Sequence, residues 1–502
     1  MPSSVSKADQ IRRRAGLIFG VIVFVYILLG INIEALNTVQ QRTLAVLALM
    51  AVWWMTAAFH MSITALIPLV LFPLLSIDDM ETVSSHYASS TIFLFMGGFM
   101  MAEALKQWGL HRRTALTIVG WIGGSPRKTL AGFMCTSAFL SMWISNTATT
   151  VMMMPMALAV IGEVKETVEG KESSQRRTFS KALALGIAYA ASVGGIATLI
   201  GTPPNLILAG QLPKLLPDTP ELQFGEWMLF GVPTALGFFV IVWLYLAYVV
   251  MRACNTDSIS SETVREQWEA LGPVTAPERW LMILISLTAI TWITRPDLNL
   301  GIVTIPGWQS MLGLSMANDG TVAMFFALVM CMTPVDLVKM QFLLDWREIE
   351  RIPWSVILLF GGGFALANTL QSTGLTEWLG QLLSHLQGLD PWILVLSICL
   401  ITSFLTEVTS NTATTAVLLP VLAAAAVVLN IPPLMLMIPA TVSASMAFML
   451  PVATPPNAIA FASGQVSGSD MARVGLILNL LGAVWITLMT HWLAVPVFNI
   501  GR

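Results

Sequence analysis

Ser145-Asn146-Thr147-Ala148-Thr149-Thr150 returns letter for letter, 265 residues later, as Ser410-Asn411-Thr412-Ala413-Thr414-Thr415. The same spacing lays Gly97-Gly98-Phe99 on Gly362-Gly363-Phe364, Leu105 on Leu370 and Gly109-Leu110 on Gly374-Leu375, with no gap across about fifty positions. Chance does not produce that agreement within one chain, so the sequence is a duplication. A second pair follows: Thr202-Pro203-Pro204-Asn205 after the first copy and Thr454-Pro455-Pro456-Asn457 after the second, now 252 residues apart. The second half is therefore shorter by 13, and the difference has a place. The first half carries a charged stretch, Glu163 to Lys181, where the second has only Asn430-Ile431-Pro432-Pro433.

Composition says where the duplicated unit lives. Of 502 residues, 56% are hydrophobic and 11% charged, against about 25% charged in a typical soluble domain. Ala15–Ile33, Phe230–Val250 and Val474–Val497 contain no Lys, Arg, Asp or Glu, and each is long enough to cross roughly 30 Å of hydrocarbon as a helix. A soluble fold would have to bury several such helices on every side. The net charge of −3 and the lack of a basic stripe with interleaved aromatics give nucleic acid binding no support. Cys135, Cys254, Cys331 and Cys399 lie far apart without metal-like spacing and read as small hydrophobes. Arg12-Arg13-Arg14 precedes the first apolar run, and Gly30–Leu36 has no small-x-small cleavage pattern. That run is expected to be a first membrane helix starting on the cytoplasmic side.

Lys and Arg supply the orientation. The loop around residues 106–128 holds Lys106, Arg112, Arg113, Arg127 and Lys128, while its repeat partner from Gln371 to Ile393 has none. The 163–181 stretch holds Lys165, Lys171, Arg176, Arg177 and Lys181, and its counterpart again has none. Cytoplasmic loops are rich in these residues, so matching loops are expected on opposite sides and the repeats inverted. Inverted repeats are characteristic of secondary transporters, whose sites lie between the repeats near mid-membrane. The reading divides the chain into an N-terminal segment with the first membrane helix (1–40), a first repeat (41–251), a cytoplasmic connector (252–279) and a second repeat (280–502). The connector contains Asp257, Glu262, Arg265, Glu266 and Glu269 and fits either a surface helix or a plain linker.

Each Ser-Asn-Thr lies between apolar segments too short to cross alone, such as Thr129–Ile144 and Val151–Ile161. Ser, Asn and Thr compete for backbone hydrogen bonds and so start or break helices. A re-entrant hairpin turning at Ser145–Thr147 fits, and irregular backbone survives in a membrane only inside protein or along a wet cavity. The returning half-helix would offer free N–H groups to an anion. Packing by small polar residues explains one copy as well, but two symmetric copies poorly. In Thr-Pro-Pro-Asn, the prolines remove backbone donors, which frees carbonyls such as those of Gly201 and Ala453. Carbonyls, hydroxyls and an Asn amide are ligands for a hard cation such as sodium; a simple kink would need only one proline.

No Lys, Arg or His lies within the motifs, yet a dianion there pays a heavy desolvation cost unless positive charge arrives. Helix N-termini offer only about half a charge each. Bound sodium ions, one per repeat, are expected to supply the balance. Glu407 and Glu103 lie near the motifs and are candidate proton carriers, but neither acid is repeated in the other half. His60, His86, His111, His385 and His491 are scattered, and Met152-Met153-Met154 follows no repeated spacing and reads as packing. No nucleophile with a base is apparent at the motifs, so an enzyme is not expected.

The twin Ser-Asn-Thr and Thr-Pro-Pro-Asn motifs, in this order in two halves, resemble the divalent anion:sodium symporter family of dicarboxylate and citrate carriers. The resemblance covers nearly the whole chain. It implies an all-α integral membrane homodimer with about eleven membrane helices plus two re-entrant helical hairpins per subunit. Scaffold and transport regions are separate, and an elevator-like shift carries the site across. In the bacterial inner membrane, sodium would be the coupling ion and a small divalent carboxylate the substrate. The first sodium site then corresponds to Ser141, Ser145, Asn146 and the carbonyl of Gly201. The second corresponds to Thr406, Asn411, Ala453 and, by its backbone, Thr409, where some relatives have a smaller residue. Substrate carboxylates would meet Ser145, Asn146, Thr147, Ser410, Asn411 and Thr412, with Pro455 nearby. Intact Ser-Asn-Thr triplets favour a C4-dicarboxylate such as succinate over sulfate, with citrate open. Sodium-independent exchangers of the same fold are expected to place a basic side chain where sodium sits, and none is present here. The exchanger and a proton-coupled carrier are the alternatives to symport.

Overall fold

A computed structural model of the chain describes residues 7–31, 33, 35–122, 124–163, 171–252, 262–299, 304–382 and 387–500. Lys165, Cys254, Asp257 and His385 lie outside the described residues, as do the side chains of Lys171 and Glu262. The described chain is helical nearly throughout. It departs from an all-α expectation only in two short antiparallel ribbons, Leu298–Asn299 with Thr304–Ile305 and Pro334–Asp336 with Gln341–Phe342.

Among the described residues, seven helices are long and apolar enough to cross a membrane. They are Gln10–Gly30, Met80–Gln107, Phe224–Val250, Trp354–Ser372, Pro391–Val408, Asn411–Val428 and Gly468–Val497. Shorter apolar helices, among them Asn146–Gly162 and Leu434–Ala444, interleave with them. Leucines, isoleucines and valines such as Leu29, Val70, Leu236 and Ile401 lie exposed around the outside, as expected where lipid replaces water. The connector forms a helix, Glu262–Glu269. Beyond it, Arg113 donates to Glu278 at 2.8 Å and to the carbonyls of Gly272, Leu271 and Pro273. The sequence left helix and linker open; the structure decides for a docked helix.

Two sets of four helices carry the motifs. In the first, α1 (Pro126–Ser141), α2 (Asn146–Glu163), α3 (Lys171–Gly195) and α4 (Pro203–Leu215) follow one another. In the second, α5 (Pro391–Val408), α6 (Asn411–Val428), α7 (Leu434–Ala444) and α8 (Pro455–Ala462) repeat the order. The starts of α1 and α5, and both ends of α2 and α6, obey the 265-residue spacing, and the starts of α4 and α8 the 252-residue spacing. The duplication in the letters is thus a duplication in the breaks.

The turn falls earlier than Ser145–Thr147. It occupies residues 142–145, and Asn146 and Thr147 already belong to the first turn of α2. Ser145 caps that helix, its Oγ accepting from Ala148 N–H at 3.3 Å, which leaves Asn146 helical. The prolines likewise do not kink a continuous helix. Thr202 and Thr454 are extended N-caps, and each Pro-Pro pair opens the second half-helix, where a missing N–H costs nothing. The breaks are longer, spanning residues 196–202 and 445–454.

Packing crosses the two sets. Besides α1 and α2 against α3, and α5 and α6 against α7, the half-helix α4 packs on α6 and α7 of the other set, and α8 packs on α2 and α3. Thr202 Oγ1 and Ser445 Oγ lie 3.3 Å apart across the two breaks. Tyr189 of α3 donates to the Phe448 carbonyl at 2.7 Å. All four motifs therefore converge.

Candidate functional site

In the first set, α1 ends at Ser141 and α2 begins at Asn146, which brings the two side chains together beside the break that follows α3. One edge of the Asn146 carboxamide lies 2.5 Å from Ser141 Oγ, 3.2 Å from the Gly201 carbonyl and 3.3 Å from the Ala191 carbonyl. With nitrogen on that edge, the amide donates to all three. With oxygen there, Ser141 donates to it and four oxygens converge with one proton among them. Oxygens roughly 3.3 Å apart are neighbours around a hard cation held at about 2.4 Å. The donor set therefore fits a small hard cation, and three of the four ligands expected from sequence, Ser141, Asn146 and Gly201, stand together, while the fourth, Ser145, instead caps α2 and is exposed. The carbonyl of Ala191 joins the three and was not anticipated, because a backbone carbonyl on a plain alanine leaves no mark in a sequence.

Gly195 and Gly201 make this approach possible. A Cβ on Gly195 would lie 2.7 Å from Asn146 Oδ1 and 3.0 Å from the Gly201 carbonyl, so the wall of the site tolerates only glycine there.

The second set repeats the pattern. Thr406 Oγ1 donates to Asn411 Oδ1 at 2.7 Å and lies 3.1 Å from the Ala444 carbonyl. Thr409 ends α5 with extended backbone, its N–H donating to Leu405 at 3.2 Å and its hydroxyl meeting Thr414 Oγ1 at 2.6 Å. Ala453 is buried, and its N–H donates to the Leu450 carbonyl at 3.1 Å. Thr406 and Asn411 are thus brought together with Ala444, again a carbonyl that sequence reading missed. Ser145 and Thr147 are exposed at the first tip; Ser410, Asn411 and Thr412 are half-buried at the second, and Pro455 is exposed at the start of α8.

The broken backbone has its polar groups provided for, as burial demands. In the segment after α7, Ser403 Oγ donates to Met446 O at 2.8 Å, and Asn479 Oδ1 accepts from Phe448 N–H at 3.3 Å. Asn457 donates to the Ala447 and Leu450 carbonyls at 2.9 and 3.1 Å. Glu407 completes this. Its Oε1 accepts from Met449 N–H at 2.8 Å and Asn479 Nδ2 at 2.7 Å, and its Oε2 from Leu450 N–H at 2.9 Å. At 3% exposure, this carboxylate is a clamp on the unwound segment with three donors turned to it. The 265-residue spacing places Met142 at its position in the first set. There the tie runs the other way: Thr198 Oγ1 donates to the Met142 carbonyl at 2.6 Å. Glu103, the other acid near a motif, is paired with Lys106 at 2.6 Å.

The described ion pairs of Lys and Arg, Lys106–Glu103, Arg113–Glu278, Lys181–Asp470, Arg265–Glu269, Arg295–Asp319, Lys339–Asp336 and Arg351–Glu348, all lie outside the motifs. No cluster of three His, Cys, Asp or Glu able to hold a metal occurs among the described residues.

Comparison with known proteins places the chain among transporters. The chain is 39% identical over 498 residues to the sodium-dependent dicarboxylate transporter SdcS of Staphylococcus saprophyticus, covering 99% of this chain and 94% of that protein. It is 40% identical over 488 residues to the SdcS of Staphylococcus aureus strain MRSA252, covering 97% and 92%. Among solved structures, YdaH of Alcanivorax borkumensis, a transporter described as having an unusual topology, superposes with a TM-score of 0.57 at 14% identity over 83% of this chain and 88% of its own. MtrF of Neisseria gonorrhoeae, from a class of antimetabolite efflux pumps, gives 0.55 at 14% identity, covering 83% and 84%. At that identity the likeness is one of fold alone. The family described as the sodium:sulfate symporter transmembrane region matches residues 12–499, and the chain belongs to it.

Proposed function

We propose that this protein is a secondary transporter in the bacterial inner membrane that carries a small dicarboxylate, most simply a C4 acid such as succinate, together with sodium ions. The observation that carries the reading is the pair of oxygen clusters, Ser141–Asn146–Gly201–Ala191 and Thr406–Asn411–Ala444, which none of the described ion pairs of Lys and Arg touches. A dianion entering between them leaves water's hydrogen bonds behind and meets only hydroxyls, amides and the first-turn N–H groups of α2 and α6. Two sodium ions, one per cluster, neutralise two negative charges and lower that cost. Substrate binding then depends on sodium, and both cross together. A third sodium ion per cycle would make transport electrogenic.

In this account α1–α2 and α5–α6 are re-entrant hairpins entering from opposite faces, the repeats are inverted, and the N-terminus is cytoplasmic, in line with the excess of Lys and Arg in the first repeat's loops. The domain boundaries at 40, 251 and 279 follow from it. The eight motif helices form the transport region, which moves as a body against a scaffold in the membrane, and two copies associate through their scaffolds. Ser145, Thr147, Ser410, Thr412 and Pro455 line the substrate side of the tips. Among the described residues no ion pair or hydrogen bond shown for a lysine or arginine reaches the clusters to support sodium-independent exchange, and Glu407 as a proton carrier is disfavoured by its three hydrogen-bond donors.

The test is uptake of labelled succinate, citrate and sulfate into proteoliposomes, with and without an inward sodium gradient. Uptake of succinate that collapses when sodium is replaced by choline supports symport. Uptake that persists and requires internal dicarboxylate instead makes the protein an exchanger.

A further inference from the structure

The asparagine closing each Thr-Pro-Pro-Asn motif has no part in the clusters above, yet it is among the most buried polar residues of the molecule. Asn205 and Asn457 are both 0% exposed. Each turns its amide nitrogen back on the break that precedes it. Asn205 Nδ2 lies 2.8 Å from the Thr198 carbonyl and 3.3 Å from those of Gly195 and Ile196. Asn457 Nδ2 lies 2.9 Å from the Ala447 carbonyl and 3.1 Å from that of Leu450. The positions correspond: Gly195 matches Ala447 and Thr198 matches Leu450 at the 252-residue spacing. Each asparagine thus grips carbonyls ten and seven residues before itself. In both, Oδ1 is buried without a hydrogen-bond partner among the described residues. Both copies keep that unfavourable orphan acceptor, which indicates that the donor direction of the amide is what matters.

The gripped carbonyls stand directly behind the cation clusters. Gly195 is in contact with both Asn146 and Gly201, as the position of its absent Cβ shows. Leu450 O receives Asn457 Nδ2 and also the N–H of Ala453, and Leu450 N–H is held by Glu407, the neighbour of Thr406. A broken helix frees several carbonyls at once, and each is then able to turn toward a cation or a proton donor. By occupying those at 195, 196 and 198, and at 447 and 450, the asparagine amides hold the unwound backbone that sets the Gly201 carbonyl against Asn146 in the first set and that follows the Ala444 carbonyl beside Thr406 in the second.

We infer that Asn205 and Asn457 are positioning residues, one for each sodium site, that set sodium affinity by fixing the unwound backbone without touching the ion or the substrate. The inference rests on the sodium-coupled reading above, so wild-type protein is assayed beside the variants. Absence of sodium-dependent succinate uptake in wild type would count against that reading and not against the pair.

The experiment measures succinate uptake in proteoliposomes over a sodium titration at saturating succinate, and over a succinate titration at saturating sodium. The proteins are wild type, Asn205→Ser, Asn457→Ser and the two alanine variants. A serine hydroxyl is shorter and loses at least one of the carbonyl contacts. Each serine variant is expected to raise the sodium concentration for half-maximal uptake about tenfold, the equivalent of one weakened hydrogen bond network, with succinate half-saturation at saturating sodium within about twofold of wild type. The sodium-induced rise in melting temperature of the detergent-solubilised protein should shrink in parallel. Sodium half-saturation within twofold of wild type in folded variants overturns the inference. So does an equal rise in succinate half-saturation. Should alanine variants fail to give monodisperse protein, the serine variants decide; should those fail too, the pair belongs to folding and the positioning role is wrong.

Discussion

Replacing Glu407 by Gln separates a structural clamp from a proton carrier. The carboxylate accepts from Met449 N–H, Leu450 N–H and Asn479 Nδ2 at 2.8, 2.9 and 2.7 Å. Glutamine has the same shape but one acceptor oxygen. Placed at Oε1, that oxygen keeps Met449 and Asn479, and the new NH2 group then faces Leu450 N–H, donor against donor. The loss is one charge-assisted hydrogen bond and a buried N–H left without a partner, together about 3 kcal/mol. Against a net stability of about 5–15 kcal/mol, that is a large fraction, and a fall in melting temperature of roughly 3–6 °C in detergent is expected. Because Leu450 also carries the contacts to Ala453 and Asn457, sodium half-saturation should rise while transport stays sodium-driven. The assays are a thermal melt monitored by tryptophan fluorescence and proteoliposome uptake under separately imposed sodium and pH gradients. A melting point within about 1 °C of wild type would refute the clamp. Wild-type uptake driven by a pH gradient and lost in Glu407→Gln would make the carboxylate a proton carrier after all.

Three further outcomes follow from the same geometry. Asn146→Ala and Asn411→Ala each remove a side chain shared by the cation cluster and the helix start, so both substrate uptake and its sodium dependence should disappear; normal kinetics at either position would undo the site. Gly194→Ala puts a Cβ 2.6 Å from the backbone carbonyl carbon of Ala138, between α1 and α3, where neither backbone can retreat, and several kcal/mol of destabilisation should appear as loss of folded protein on size exclusion. Tyr189→Phe deletes the donor to Phe448 O and leaves a buried carbonyl unsatisfied, so a cost of about 1–3 kcal/mol is expected in the melt, with substrate half-saturation unchanged.

Much of the site could be read from the letters because duplication doubled every signal. A lone Ser-Asn-Thr is a common packing motif; two at a fixed spacing locate the breaks, and both ends of α2 and α6 follow that spacing residue for residue. Ser141 is less visible, since it lies a helical turn before the motif and its hydroxyl becomes meaningful only when α1 delivers it to Asn146. The carbonyls of Ala191 and Ala444, which join the clusters, were out of reach, because no proline follows them closely enough to mark them as Pro-Pro marks Gly201 and Ala453. The turn was misplaced by a few residues for a local reason: Ser145 prefers to cap α2, which pulls Asn146 and Thr147 into the helix. Glu407 stood out in the sequence only as an unrepeated acid in an apolar run; its three donors come from residues about 40 and 70 positions away, contacts that only the tertiary fold creates. The crossing of α4 and α8 onto the opposite set has the same origin.

Binding in detergent tests the central claim most directly, since it removes the membrane, the gradient and the transport cycle from the question. Titration calorimetry of succinate into the purified protein should give a clear saturable heat in sodium chloride and none in choline chloride, with affinity climbing as sodium is raised. Succinate binding of equal strength in the two salts would contradict the account, because the positive charge that the oxygen clusters lack would then have to come from the protein itself.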